Sequence, residues 1–141
     1  MSRATPVAVV TGGSRGIGHA AALVLAREGW DVCISYVSHA DAAAQTVSAI
    51  ERLGRRALAV KADVGSQADV RRLFEAATKA FGRLDALVNN AGVVGQPRSI
   101  LDADDKHLSA VLRTNVLGAF FCAGEAARRM STRSGGDGGA I

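Results

Sequence analysis

Val7-Ala8-Val9-Val10-Thr11-Gly12-Gly13-Ser14-Arg15-Gly16-Ile17-Gly18-His19 is the stretch that decides how the rest of the chain is read. Its first four residues are an unbroken apolar run, the pattern of a strand buried on both faces. Three spaced glycines follow, and then a helical pattern from about Ile17 to Glu28, with Gly29 placed to stop it. A strand, a glycine loop and a helix in that order form the setting in which a loop holds a dinucleotide. Glycines let the backbone turn sharply and approach a pyrophosphate closely. The helix N-terminus behind them offers free N–H groups and a positive dipole end to the anion. The spacing is Gly12, three residues, then Gly16-Ile17-Gly18, which is not the common G-x-G-x-x-G. Taken alone, the loop also fits a tight turn with no ligand.

Outward from that stretch, strand-like and helix-like segments alternate. Val32-Cys33-Ile34-Ser35-Tyr36 reads as a second strand, Ala57-Leu58-Ala59-Val60 as a third and Ala86-Leu87-Val88-Asn89 as a fourth. One intervening helix covers about Ala42 to Leu53 and is stopped by Gly54. The next starts at Ser66 with Asp69 three residues on, a capping-box pattern. Val70, Leu73, Phe74, Ala77 and Phe81 then share one helical face, and Gly82 ends it. Beyond a loop through Gly95, Pro97 and Arg98, a long helix is expected from about Asp104 to Met130. Its apolar stripe runs through Leu108, Val111, Leu112, Val116, Ala119, Phe120 and Ala123. Ser131 to Gly139 reads as a loop, and Ala140-Ile141 as the first residues of a fifth strand. The alternation predicts one α/β domain over residues 1–141, a parallel sheet covered by helices. A sheet of four strands would leave the fourth as a bare apolar edge.

Composition agrees with a globular domain: of 141 residues, 48% are hydrophobic and 21% charged, so a core can be built. Aromatics are only 4%, so that core is expected to be Ala, Val, Leu and Ile. The net charge of +4 is mild. Basic pairs such as Arg55-Arg56, Arg71-Arg72 and Arg128-Arg129 read as solvated helix faces. No basic stripe alternates with aromatics, so nucleic acid is not an expected partner. Cys33 and Cys122 lie in apolar runs and are expected as buried free thiols. No Cys/His spacing suits zinc, and His19, His39 and His107 stand apart, so no metal site is expected. No apolar stretch reaches membrane-spanning length. Pro6 to Val10 runs straight into the glycine loop rather than forming a leader. A reducing cytoplasm fits these features.

Three more segments carry information. Asp63-Val64 follow the third strand, Asn89-Asn90-Ala91-Gly92 end the fourth, and Asn115 sits in Thr114-Asn115-Val116 on the long helix. With the Thr11-Gly12-x-x-x-Gly16-x-Gly18 loop, they resemble in order and spacing the N-terminal part of the short-chain dehydrogenase/reductase family. The resemblance covers the whole chain and extends to bacterial members such as 3-oxoacyl-carrier-protein reductases and glucose 1-dehydrogenases. It implies a Rossmann-type doubly wound parallel sheet, truncated at the start of the fifth strand. It also implies an oxidoreductase that moves hydride between a nicotinamide cofactor and a small carbonyl or alcohol substrate. On this resemblance Gly12, Gly16 and Gly18 are pyrophosphate-loop glycines, Ser14 and Arg15 lie within the loop, and Ile17 leads into the helix. Asp63, with Val64 beside it, matches the carboxylate that accepts from the adenine amino group. Asn90, Ala91 and Gly92 match the segment beside the cofactor ribose, and Asn89 looks like a strand-end brace. Asn115 matches the Asn of a catalytic tetrad, which in the family holds a water next to the catalytic lysine.

The residues alone leave other readings open. Asp63 and Asn89-Asn90 also fit turns. Asn115 falls on the apolar face, at i+3 from Leu112 and i+7 from Leu108, and also fits a core residue bonded to a neighbouring backbone group. A buried amide left unbonded costs about 1–3 kcal/mol. The family places its serine after the fifth strand and Tyr-x-x-x-Lys on a later helix. The one tyrosine here, Tyr36, is in the second strand with no Lys four residues on, and Ser131 and Ser134 precede the fifth strand. The expectation is an incomplete domain, inactive alone. The alternatives are a non-enzymatic NAD(P)-binding module or redox sensor, and a doubly wound domain for another phosphate ligand such as a flavin. Family members commonly pair the long helix between subunits. With Leu117, Phe121 and Gly124 beyond the stripe, a homo-oligomer is expected.

The cofactor is expected to be NADP(H) rather than NAD(H). An NAD site usually carries an acid at the end of the second strand, about 20 residues after the first glycine. Ile34-Ser35-Tyr36-Val37-Ser38 has none. Asp31 lies at the other end of that strand, about 16 Å from Tyr36, and Asp41 lies past it. Arg15 supplies a guanidinium suited to a 2′-phosphate. Ser35, Tyr36, Ser38 and His39 are the polar candidates for the remaining contacts.

Overall fold

A computed structural model describes residues 4–141, so the absence of a leader, read from the sequence, concerns in part residues outside the described ones. Four strands, β1 (Val7–Val10), β2 (Asp31–Tyr36), β3 (Ala57–Lys61) and β4 (Ala86–Val88), form one parallel sheet in the order β3-β2-β1-β4. All of β1 is buried, because this central strand is covered on both faces. Successive side chains feed two different cores. Val10, Val32 and Ile34 pack with Ala22 and Ala26 of α1 (Gly16–Arg27) and with Ala43 and Ile50 of α2 (Ala40–Arg52). Val9, Cys33 and Leu87 pack on the opposite face with Leu73 and Phe74 of α3 (Gln67–Phe81) and with Cys122 and Ala126 of α5 (Ala119–Met130). The chain winds outward from β1 to β3 and then crosses back to β4. This is a doubly wound Rossmann-type sheet. Its strand order reverses between β1 and β4, and ligand crevices in such sheets open beyond the C-terminal strand ends at that reversal.

The edge of β4 is not bare. Ala140 bridges in parallel to Ala86, donating to the Asp85 carbonyl and accepting from Leu87 N, both at 3.0 Å. The helix signals of α3 are present: Ser66 Oγ accepts from Asp69 N at 3.3 Å, and Gly82 ends the helix in the left-handed region. The second half of the capping box differs from the expected pattern. Asp69 Oδ2 accepts from Asp63 N at 3.0 Å, so the α3 cap also anchors the turn that carries Asp63. That backbone bond, helped by Arg72, holds the Asp69 carboxyl below the usual carboxylate range.

At the opposite end of the sheet, Asp31 is fully buried and saturated with donors. Its Oδ1 accepts from Arg55 Nη2 at 2.6 Å and Arg56 N at 3.0 Å, and its Oδ2 from Arg56 Nε at 2.6 Å. Burial by itself would raise this carboxyl, but the Arg56 N–H and the two guanidinium groups together hold it below its ordinary range. Asp85 plays a similar part at the start of β4, accepting from Val7 N at 2.8 Å and from Arg83.

The long helix departs from expectation. It is α4 (Asp105–Leu112), a π-helical stretch over Arg113–Gly118, and then α5. The expected stripe does not face the sheet: Leu108, Leu112, Val116 and Phe120 are exposed, Phe120 by 74%. The buried positions are instead Gly118, Cys122, Ala126 and Met130, a four-residue repeat. Leu108 and Leu112 precede the π-helical stretch and are already exposed, so the apolar stripe lies off the core from α4 onward, and the buried face begins at Gly118. Gly118 supplies the reason for the close approach there. A Cβ on it would lie 2.7 Å from Val64 Cγ2. Both cysteines are free and buried, as expected. Burial pushes each thiol up to about 12, with Glu125 adding to the effect on Cys122, so neither supplies a thiolate near neutral pH.

Candidate dinucleotide site

The β1–α1 loop is built from its neighbours inward. Thr11, fully buried, is the hub: its Oγ1 accepts from Asn90 N at 3.0 Å and from Ala91 N at 2.9 Å. Asn90 Nδ2 answers by donating to the Thr11 carbonyl at 2.9 Å. These bonds tie the end of β1 to the end of β4. From the β2 side, Ser35 Oγ accepts from Gly12 N at 3.1 Å, and its carbonyl accepts from Gly13 N at 3.0 Å. Gly12 has a φ of +65°, a conformation that favours glycine. Gly18 is needed for contact, since a Cβ there would lie 2.6 Å from Asn90 Nδ2. It is buried beneath the loop rather than on the surface of the cleft.

The loop opens on a cleft of about 550 Å³ at the C-terminal ends of the strands, where the strand order reverses. Gly12, Ser14, Arg15, Gly16 and Ile17 line one side, and Asn90, Ala91 and Gly92 another. Tyr36, Val37, Ser38 and His39 line the β2 end, and Asp63 and Val64 close it beside β3. The structure therefore brings the sequence candidates together, with Gly18 as their support and Asn115 just outside. Ser35 touches the cleft, but its hydroxyl oxygen is used on Gly12 N. Asp63 is exposed, and its Oδ1 accepts from Gly65 N at 2.9 Å, while its Oδ2 has no protein donor among the described residues. Val64 is buried against Gly118. Thr11 is the site residue that the glycine spacing does not point to. Its signal is a β-branched hydroxyl at the strand end, where a single oxygen can serve two strands.

Asn115 lies in the π-helical stretch, and its expected burial is not found: the residue is exposed. Both ends of its amide are nevertheless used. Its Oδ1 accepts from Val93 N at 2.8 Å and its Nδ2 donates to the Val93 carbonyl at 2.7 Å. The side chain pairs with the loop after Gly92 as one strand residue pairs with another. Asn89 braces the next turn, donating from Nδ2 to the Ala119 carbonyl at 2.8 Å.

Helix caps separate the two sides of the domain. Ser66 caps α3 and Asp104 caps α4 through side-chain acceptors. Arg15 at the start of α1 and His39 at the start of α2 provide no side-chain cap, and both line the cleft. α1 also has no acidic residue in its first turn. Its first two residues, Gly16 and Ile17, line the cleft, and a helix start without a side-chain cap suits a bound pyrophosphate. The glycines leave room for it. These features fit a dinucleotide. Among the described residues no group of three or more His, Cys, Asp or Glu side chains could hold a metal, and no helix is long and apolar enough to cross a membrane.

Fold and site together define a family. The chain belongs to the short chain dehydrogenases, whose family profile matches residues 6–140. It is 41% identical over 135 residues to the uncharacterized oxidoreductase YgfF of Escherichia coli, a match covering 96% of this chain and 55% of that protein. A solved short chain dehydrogenase of Burkholderia cenocepacia in complex with NADP has a TM-score of 0.85 and 43% identity, over 91% of this chain and 52% of its own. An NAD⁺-bound xylitol dehydrogenase has a TM-score of 0.87 at 29% identity, over 98% and 52%. The chain thus spans about half the length of these relatives. NAD(P)-type dinucleotides are bound within the family by both solved relatives.

Proposed function

We propose that the chain is the cofactor-binding portion of an NADP(H)-dependent oxidoreductase acting on a carbonyl or secondary alcohol, a cytoplasmic homo-oligomer similar to bacterial 3-oxoacyl-carrier-protein reductases and glucose 1-dehydrogenases. The observation that carries the cofactor choice is the β2 end of the cleft. It holds no carboxylate at Tyr36, Val37 or Ser38, while Arg15 opens on the same cleft with no ion pair among the described residues. A 2′-phosphate at that strand end meets the Arg15 guanidinium and no carboxylate from Tyr36, Val37 or Ser38. The NADP-bound relative, at 43% identity, is also nearer in sequence than the NAD⁺-bound one at 29%.

In this reading Gly12, Gly16, Gly18 and the first turn of α1 hold the pyrophosphate. Ser14 and Arg15 flank it, with Tyr36 at the adenosine end. Asp63 accepts from the adenine amino group with Val64 packed behind it. Asn90, Ala91 and Gly92 hold the ribose on the nicotinamide side. The bound cofactor supplies or takes the hydride. Asn115 is the catalytic-tetrad member and fixes Val93 at the edge of the reaction space. The 141 residues alone bind cofactor without turnover, because the serine and Tyr-x-x-x-Lys of the family have no counterpart among them.

Titration of NADPH and NADH into the protein and into Arg15→Ala tests the cofactor reading. NADPH is expected to bind more tightly, and Arg15→Ala to weaken NADPH by about tenfold, the worth of one charge-assisted contact, with NADH little changed. Tighter binding of NADH, or equal losses for both cofactors, would contradict it.

A further inference from the structure

We infer that Arg113 is a positioning residue for base recognition: from the π-helical stretch that carries Asn115 it holds Gly65, and through Gly65 it aims the Asp63 carboxylate. The inference rests on the reading of Asp63 as the acceptor for the adenine amino group. The α3 cap fixes the backbone of Asp63, whose N–H donates to Asp69 Oδ2 at 3.0 Å. The carboxylate has a different anchor. Its Oδ1 accepts from Gly65 N at 2.9 Å, its one protein donor among the described residues. The other side of Gly65 is held by Arg113, whose Nη1 donates to the Gly65 carbonyl at 3.3 Å.

Gly65 is buried between the two side chains. A Cβ on it would lie 2.9 Å from Arg113 Cγ and 3.2 Å from Asp63 Oδ1, so glycine is what lets the arginine stem and the carboxylate approach together. Arg113 forms no ion pair among the described residues, and its guanidinium goes to a backbone carbonyl instead. Gly118, at the other end of the same stretch, meets Val64 just as closely, so the stretch closes on the Asp63 turn at two points. Thr114, next to Arg113, lines the cleft. Without the Arg113 bond, Gly65 is released and Oδ1 with it. A carboxylate free to swing no longer presents Oδ2 in one place, and the adenine amino group loses a fixed acceptor. Contacts to the purine ring and the phosphate do not pass through Gly65 and should survive.

The test uses adenosine 5′-monophosphate and purine riboside 5′-monophosphate, which differ only in the 6-amino group. Their dissociation constants are measured with the full chain, with Arg113→Met, with Asp63→Ala and with the double variant. Methionine keeps an apolar stem over Gly65 and removes the donor. The native protein is expected to prefer the adenosine ligand about tenfold, the worth of a hydrogen bond to a charged acceptor. Arg113→Met should cut that preference to about threefold or less, with purine riboside 5′-monophosphate binding near native. In the Asp63→Ala background the same substitution should leave the ratio unchanged, because Arg113 acts through Asp63. A native-sized preference in Arg113→Met, whether or not both ligands weaken, overturns the Arg113 assignment, and so does a ratio that differs between Asp63→Ala and the double variant. The Asp63 reading then stands if Asp63→Ala abolishes the native preference. No preference in the native protein overturns the Asp63 reading, and the Arg113 assignment with it.

Discussion

The two ends of this sheet treat charge in opposite ways. At the N-terminal strand ends, Asp31 is closed in by Arg55 and Arg56, and Asp85 by Arg83 and the Val7 N–H. Arg56 also lies over the Phe81 ring, 5.0 Å from its centroid, which fastens the end of α3 to the same cluster. At the C-terminal strand ends, Arg15, His39 and Asp63 make no ion pairs among the described residues, and two helices start without side-chain caps. One end pairs its charges within the fold, while the other uses neutral groups such as Thr11 and Asn90 for the fold and leaves Arg15, His39 and Asp63 without ion pairs among the described residues. A perturbation at one end should therefore read out in stability, and at the other in affinity.

The sharpest break of that division is Asp31→Asn. It leaves Arg55 and Arg56 without their anion and should lower stability by about 3 kcal/mol, the low end for a broken buried pair because Arg56 stays in water. Cofactor affinity of the folded protein should not move. Because the native carboxyl of Asp31 lies below its ordinary range, its contribution is fully present above about pH 5 and fades as pH falls through the native value. Denaturant melts at pH 7 and pH 3 check both points, and the variant should show the smaller acid loss. Gly18→Ala is the mirror case. Its Cβ collides with Asn90 Nδ2, and cofactor affinity should drop by about thirtyfold, roughly 2 kcal/mol.

Asn115→Leu sharpens the comparison within the ligand end. It removes both bonds to Val93 and should lower turnover of the complete enzyme about tenfold or more while leaving cofactor affinity near native. Unchanged turnover would argue for a purely structural asparagine. The smallest effect belongs to Ser66→Ala, a lost helix cap worth about 1 kcal/mol in stability. A slight weakening of adenine binding should accompany it, because the same cap holds the Asp63 turn through Asp69.

Local signals account for much of this architecture. Each strand lies within a residue or so of its sequence reading, because Val-rich runs between glycines leave few alternatives. Ser66, Asp69 and Gly82 announced α3 through their own backbone chemistry. The residues of the cleft were legible because glycine spacing and the Asn-Asn-Ala-Gly segment are contiguous in sequence. The buried face of the long helix was not, since it is set by Gly118 meeting Val64 from a distant turn, and the apolar stripe put Phe120 on the wrong face. Asn115 shares the exposed face of Leu108 and Leu112. The ion-paired end is not legible for a related reason: Asp31 carries no local sign of its partners, and its arginines lie 24 and 25 residues away.

Backbone amide shifts on addition of NADPH test the division of the molecule most directly. The account predicts perturbation of Gly12 to Gly18, Tyr36 to His39, Asp63 and Asn90 to Val93, with Asp31, Arg55, Arg56 and Asp85 unmoved. Shifts concentrated at Asp31 and its arginines, with the glycine loop silent, would contradict it.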